Sequence, residues 1–532
     1  MTALDSSSEN RPENGKAADT RQNPVETELK LLVPAEGFDA LYRLAIARLP
    51  VKNKGTVRHL ESTYYDTADR RLAQAGFSLR VRRSGKRFVQ TLKSVCRDGA
   101  LSRREWETPV DAMAADLTLV PAADIGAVLE GIAPGDLLPI FVTRVRRHAV
   151  PVDAKDAQIE VAFDTGAIEA GSRREPLSEV ELELKQGSAA ALYQLGLELA
   201  DIGPLRLGTQ SKSARGYALT SDITAAAAKA GASDILPGDT VDAAIAKILN
   251  DCHQQLLGNL DLAANGTRPS AIHQMRVALR RLRSLLWLLQ REISVPSLSA
   301  LDGEARQLAG MLGAARNWDV FAGSTVPDMA DAALPDIDFS SLIEASLPFG
   351  DRARTAAGEM LGSPQTTRFL LSLGLCIEQK RWRSEIASES LAVLAEPVGH
   401  FSGRALGRLE RKAVKRGRQF ARLQPEERHR LRLVLKKLRY TAEFFLPLYA
   451  ERSATAKHLK HLKRLQEALG IDNDIATTRD LLHQLMLSTG NADVHRAIGA
   501  VIGWHRCKQL DGAEGLNSLW KEFKRQKAFW RS

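Results

Sequence analysis

The chain has 532 residues, 44% hydrophobic and 26% charged, enough for two or more domains with sizeable cores. No apolar run approaches the ~18 residues of a membrane-spanning helix, and Cys96, Cys252, Cys376 and Cys507 stand far apart without CxxC spacing, which argues against a zinc site or a disulfide framework and fits a reducing cytoplasm. The net charge of +10 is lopsided: residues 1–220 hold 30 Lys+Arg and 30 Asp+Glu, residues 221–532 hold 44 and 34, so the second half carries the whole excess and favours a polyanionic partner.

Residues 1–23 lack an apolar signal region and read as a disordered tail. Period-2 segments then recur: ETELKLLV, SLRVRRS, RFVQTLKS, SRREWETPV, FVTRVRRHAV, AQIEVAFDTG and SEVELELKQG. Alternation of this kind predicts strands, and turn residues separate many of them. Helices are expected near 37–48 and 188–200. The alanine-rich stretch 221–237 reads as a linker or short helix. From 238 to 532 the period becomes 3.6 and strand signals almost vanish, which predicts an all-helical domain. It contains a repeat: HQMRVALRRLRSLLWLL (273–289) matches HRLRLVLKKLRYTAEFF (429–445), and LAGMLGAARNWDV (308–320) matches LQEALGIDNDIA (465–476). Two copies predict a pseudo-symmetric bundle of two helical halves.

Alternate residues of a strand share a face. Glu26, Glu28 and Lys30 fall together, as do Arg80 and Arg82, Thr91 and Lys93, Arg103, Glu105 and Glu107, Arg144 and Arg146, Glu160 and Asp164, and Glu179, Glu181, Glu183 and Lys185. For one strand, a solvated charged face is the ordinary explanation. Across seven strands the faces are almost purely acidic or basic, which suggests a barrel with a charged lumen and an apolar exterior. Enclosed charges must be paired or bound to metal and ligand. Carboxylates there would hold Mg²⁺ or Mn²⁺, and Arg and Lys would clamp phosphate oxygens.

ETELK, with YYDT (64–67), LRVRR (79–83), QTLK (90–93), RREWE (103–107), the Arg144/Arg146 strand, FDTG (163–166), EVELELK (179–185) and SKSARGYAL (211–219), resembles in content and order the CYTH superfamily, the triphosphate tunnel metalloenzymes. The resemblance covers roughly 24–220. It implies an eight-stranded antiparallel barrel forming a tunnel, and action on triphosphate-bearing substrates with a divalent metal. It further implies that Glu26, Glu28, Glu181 and Glu183, with Asp164 and Glu105, hold one or two metal ions. Lys30, Arg80, Arg82, Lys93, Arg103, Arg144, Arg146 and Lys212 would bind the phosphate chain. Glu28, Glu181 and Lys93 would act in catalysis, Lys93 either on the leaving group or on water. Glu105 and Glu107 stay open between metal or water contact and a structural pair with a neighbouring arginine.

In the helical half, His273, Arg276, Arg280 and Arg283 fall on one helical face, and His429, Arg432, Lys436 and Arg439 repeat the spacing. Like charges so placed repel, and a polyanion would relieve them. These stretches, with LGAARNWDV and LQEALGIDND, resemble the CHAD domain, a conserved histidine α-helical domain. Coverage is roughly 238–532, with little to place between 325 and 400. The resemblance implies a helical bundle whose basic groove binds inorganic polyphosphate. Asp319 and Asp474 read better as arginine partners or caps than as metal ligands. Residues 404–439 hold 14 Lys+Arg and three Glu but a single aromatic, Phe420, and so no series of stacking platforms, which favours phosphate over nucleic acid.

The fold class read from the sequence is therefore α+β, a charged barrel followed by an all-α bundle with a two-fold repeat. The expected activity is hydrolysis of inorganic triphosphate to pyrophosphate and phosphate in the cytoplasm. Polyphosphate is the expected second partner, with possible anchorage on polyphosphate granules, and no membrane is involved. The rivals are another triphosphate substrate (thiamine triphosphate, a nucleoside triphosphate, or adenylate cyclase chemistry) and a non-enzymatic polyphosphate-binding protein.

Overall fold

The computed structural model describes residues 25–94, 101–120, 122–220, 226–231, 233–265, 268–330, 337–452 and 454–531. The expected tail at 1–23, Cys96, and residues 221–225 and 232 of the expected linker lie outside these. Eight strands form the barrel, seven of them on the alternating segments and β2 beside them: β1 (Val25–Leu32), β2 (Thr56–Asp66), β3 (Phe77–Ser84), β4 (Arg87–Ser94), β5 (Ser102–Val110), β6 (Leu138–Ala154), β7 (Ala157–Ala170) and β8 (Arg173–Gln186). Each pairs antiparallel with its neighbours in the order β5-β4-β3-β2-β6-β7-β8-β1. Pairing of β1 with β5 at Glu26↔Arg103 closes the barrel. Two-residue turns join β3–β4, β6–β7 and β7–β8, and Gly85, Asp156 and Gly171 supply the positive φ that such turns demand.

The alternation sorts as expected. Leu29, Leu31, Val161, Val180 and Leu182 are buried on the outside of the wall, where helix α1 (Phe38–Arg48) and helix α2 (Ala190–Ile202) cover it. A short strand β9 (Arg206–Gly208) adds to the free edge of β1, and helix α3 (Lys212–Thr220) follows it. The rest is helical: α4 (Val241–Ala264), α5 (Pro269–Glu292), α6 (Pro296–Val320), α7 (Phe339–Leu361), α8 (Pro364–Glu378), α9 (Val398–Arg416), α10 (Pro425–Phe444), α11 (Ala454–Ala468), α12 (Ile471–Ser488) and α13 (Ala492–Arg525). Among the described residues, no helix is long and apolar enough to cross a membrane.

The two halves share one apolar core. α8 packs on α2 so closely that a side chain at Gly374 would lie 2.2 Å from the Tyr193 ring. The described part of the expected linker is coil, held where Ala228 exchanges two hydrogen bonds with the Asn259 side chain of α4 (3.0 and 2.9 Å). The two repeat helices, α5 and α10, lie against each other. A smaller second core joins Trp318 and Phe321 to Leu485, Val494 and Val501.

Candidate functional site

Because β1 and β3–β8 alternate charged with apolar residues, closing the sheet drives one set of charges inward. They line a cavity of about 580 Å³ whose wall includes seven carboxylates (Glu26, Glu28, Glu105, Glu107, Glu160, Glu181, Glu183) and ten cations (Lys30, Arg58, Arg80, Arg82, Arg87, Lys93, Arg103, Arg147, Lys185, Lys212). The apolar outer face of the same strands makes this arrangement inescapable once the barrel closes.

At one end, carboxylates and cations interlock. Lys212 Nζ lies 2.5 Å from Glu179, 2.8 Å from Glu181 and 2.8 Å from Asp164. Lys30 bonds Glu179 at 2.9 Å and also Glu181, while Arg147 forks onto Asp164 at 2.8 and 2.6 Å and reaches Glu181. Burial alone would raise the Glu181 carboxyl, but Lys212, Lys30 and Arg147 hold it well below its ordinary value. The same opposition keeps Asp164 low and lifts the Lys30 and Lys212 ammoniums. Asp164, Glu179 and Glu181 bring carboxylate oxygens within 4.8 Å of one another, close enough to share a metal ion. The Lys30 and Lys212 ammonium groups already stand among them.

Toward the other end, acidic groups are less compensated. Glu26 pairs with Lys93 (2.6 Å) and Glu28 with Arg103, but Glu160 has no ion pair among the described residues. Burial raises the Glu183 carboxyl, Lys185 opposes this, and Glu26 and Glu160 add to the rise. Crowded, all-oxygen carboxylates of this kind fit a hard divalent cation, which would relieve their repulsion.

Facing them is an arginine group short of anions. Arg82 is half-buried with Ser62 Oγ at 3.3 Å as its hydrogen-bond partner, and burial together with Arg80 and Arg147 pulls it down to about 10. Arg80 lies 3.6 Å from Glu105, and its buried Nε has no hydrogen-bond partner. Unspent donors on a rigid wall suit oxyanions. Glu105 also meets Lys93 at 3.2 Å, and Glu107 accepts from Thr91 Oγ1 at 3.2 Å, so in this state both make local pairs.

Arg144 and Arg146, expected in the lumen, are corrected by the structure: both are exposed on the outer face of β6, where Arg144 pairs with Glu61 and Glu169. The lumen residue is their neighbour Arg147. The run RVRR puts arginines on both faces, so alternation alone could not choose. The deciding signal was the following His148, buried on the outer side against Tyr42 of α1 at 2.7 Å.

In the helical half, the repeat helices turn cations toward each other. Arg276 is pulled down to about 10 by burial, Arg280 and Arg316, and Lys436 to about 8 by burial, Arg432 and Arg280. His273 is lowered by burial and by Arg316, Arg280 and Arg276. Buried Nε atoms of Arg280 and Arg432 have no hydrogen-bond partner. Arg316 of α6 was missed; its signal was its place in LGAARNWDV. Arg439 joins the group while bonded to Gln466 at 2.7 Å. Arg283 stands apart, paired with Asp302 at 2.9 Å, and His429 is exposed at the start of α10. Asp319 bonds Arg354 at 2.7 Å, and Asp474 lies 3.9 Å from Arg432, both as arginine partners.

Family models match the chain half by half: the CYTH domain over residues 25–217 and the CHAD domain over 247–483. The chain joins a CYTH domain to a CHAD domain. The CYTH half is 34% identical over 170 residues to an inorganic triphosphatase of Haemophilus influenzae (strain ATCC 51907 / DSM 11121 / KW20 / Rd), covering 30% of this chain and 46% of that protein. The match thus spans just under half of that relative's length. Over 487 residues, 86% of each chain, it is 26% identical to an uncharacterized protein of Mycobacterium tuberculosis (strain CDC 1551 / Oshkosh). Among solved structures, the CHAD domain from the plant Ricinus communis is 29% identical with a TM-score of 0.49, covering 57% of this chain and 98% of that one.

Proposed function

We propose that the CYTH barrel hydrolyses inorganic triphosphate to pyrophosphate and phosphate, and that the CHAD half binds inorganic polyphosphate. The observation that carries the first part is the division of the lumen into an arginine wall with unspent donors (Arg80, Arg82) and a crowded acidic set (Glu26, Glu28, Glu160, Glu183). A short phosphate chain with its divalent ion is the ligand that satisfies both. The likeness to an inorganic triphosphatase supports the same reading.

Glu26, Glu28 and Glu183, with Glu160, would hold Mg²⁺ or Mn²⁺; Glu105, Asp164 and Glu181 would join once a phosphate chain draws their lysines away. The ion, when bound, neutralises phosphate oxygens and lowers the pKa of water. The chain's own groups do the rest. Arg80, Arg82, Arg103, Arg147, Lys30 and Lys212 hold the phosphates in line and stabilise charge that builds on the departing pyrophosphate. Lys93, between Glu26 and Glu105, is placed to donate a hydrogen bond to the leaving oxygen or to the attacking water. Tyr64 is the only aromatic side chain lining the described cavity, and it is stacked on Phe141 at 4.4 Å, which leaves no free ring for a nucleobase or thiazole. That favours the inorganic substrate.

In the CHAD half, the lowering of Arg276 by Arg280 and Arg316, and of Lys436 by Arg432 and Arg280, supports a site whose counter-charge arrives with the ligand. The test is phosphate release by the full chain from triphosphate, thiamine triphosphate, ATP and long polyphosphate, each with Mg²⁺ or Mn²⁺. Fastest release from inorganic triphosphate is expected. Release from none of them sinks the enzymatic reading.

A further inference from the structure

The segment carrying Lys212 is held by the other half of the chain. Thr209, three residues before Lys212, donates from its backbone N (3.1 Å) and its Oγ1 (2.6 Å) to the same carboxylate oxygen of Asp261 on α4. Asp261 is buried, and its second oxygen lacks a hydrogen bond, with only Arg206 at 4.0 Å. Just upstream, the β9 amide of Leu207 donates to Thr367 Oγ1 of α8 at 3.2 Å. β9 lies in register on β1, with Gly208 opposite Lys30, so close that a side chain at Gly208 would come within 3.2 Å of the Lys30 stem. The stretch 206–212 therefore hangs on two helical-half side chains, presses on one lumen lysine, Lys30, and carries another, Lys212.

Three residues span at most ~10 Å, so the Asp261 anchor fixes where helix α3 begins and hence where the Lys212 ammonium sits. That matters because Lys212 has two sets of possible partners. In this state it bonds Asp164, Glu179 and Glu181. With a phosphate chain in the lumen it must share itself with new oxygens without losing its position. A buried carboxylate accepting two hydrogen bonds from one residue is a stiff tether for that purpose.

We propose that Asp261 is a positioning residue of the tunnel, and that the helical half completes the tunnel site through Asp261 and Thr209 by setting the reach of Lys212. This rests on the triphosphatase reading above. Asp261 touches no lumen residue directly; it acts through the backbone of residues 209–212.

The test uses the full chain and triphosphate turnover with Mg²⁺. Lys212→Ala raises KM. Asp261→Ala raises KM about tenfold, the size expected for losing hydrogen bonds to a charged group, with kcat within about twofold. Asp261→Asn, which keeps an oxygen to accept from Thr209, restores most of the wild-type KM. Thr209→Val, altered from the other side of the contact, follows Asp261→Ala. The double variant Asp261→Ala/Lys212→Ala is no worse than Lys212→Ala, because both act through one group. A merely structural role would lower the amount of active protein and so kcat, leaving KM in place. If Lys212→Ala raises KM while Asp261→Ala and Thr209→Val do not, or if the effects multiply in the double variant, the positioning role is overturned and the triphosphatase reading survives. If Lys212→Ala also leaves KM unchanged, both fall.

Discussion

The two halves handle charge in opposite ways. In the lumen, Lys30, Lys212 and Arg147 are buried against Asp164, Glu179 and Glu181, so most charge is neutralised within the fold. Along α5, α6 and α10, Arg276, Arg280, Arg316, Arg432 and Lys436 gather, their cationic neighbours pull Arg276 and Lys436 down, and Asp474 stands 3.9 Å from Arg432. The barrel stores its counter-charges; the bundle waits for them. A pre-paired site excludes water and fixes geometry, as bond breaking demands. A repulsive, half-buried set of cations would, on the proposed reading, trade stability for affinity to a long polyanion.

The largest break in this contrast should come from Glu28→Gln. It removes one prospective metal ligand and loosens Arg103, and turnover should fall about 100-fold or more, comparable to losing a major electrostatic contact in a preorganised site. Steady-state rates at saturating Mg²⁺ check this, and a fall under tenfold would remove Glu28 from the metal set. Next comes Arg82→Ala, which takes away a cation that has no carboxylate partner. KM for triphosphate should rise about tenfold or more, with stability unchanged or improved, because a half-buried cation without a carboxylate partner goes with it; paired kinetics and thermal melts decide.

Two pH effects sharpen the comparison. Lys436 is depressed to about 8, so it is charged at pH 7 and loses its proton as pH rises through about 8. Polyphosphate affinity of the full chain should therefore decline from pH 7 to pH 9, and Lys436→Arg should flatten that decline, as measured by fluorescence anisotropy. Glu183 carries the opposite sign. Its carboxyl is raised, so as pH falls it takes up a proton before an ordinary glutamate does and would then no longer hold the proposed ion, and the Mg²⁺ requirement of turnover should grow as pH falls. Glu183→Gln should abolish that dependence. The smallest effect is expected for Arg144→Ala on the outer face: turnover within about twofold of wild type and stability within ~0.5 kcal/mol, as for exposed ion pairs.

Most of the tunnel was legible because a closed barrel turns alternation into a statement about inside and outside. ETELK and EVELELK needed no partner to be read correctly, since leucine, valine and threonine occupy every second position. β2 was harder. Its segment TVRHLESTYYD does not alternate, because Thr63 and Tyr65 are buried on the outer face while Tyr64 and Ser62 are buried on the inner one. Arg147 was lost to a run of arginines on both faces. Arg316 was lost for a different reason: helical periodicity tells which residues of one helix share a face, but not which neighbouring helix meets it. The Asp261–Thr209 contact was beyond reach for the same cause, as it depends on how two halves dock. Arg283 shows the limit from the other side, since it shares the periodicity of Arg276 and Arg280 yet spends its charge on Asp302.

The closure of the barrel has its own consequence. β6, β7 and β8 are zipped along most of their lengths, whereas among the described residues the pairing of β1 with β5 covers Val25–Thr27 and Ser102–Arg104, with one more backbone bond from Glu28 N to Leu101 O. Thermal breathing will therefore part the wall at this seam first, and amide protons of Val25–Thr27 will exchange with solvent well before those of Val180–Leu182. Since Glu26 and Arg103 face each other across that seam, a guest that bridges them acts as a clasp, and occupancy of the lumen becomes readable as slowed exchange at three amides on the barrel's edge.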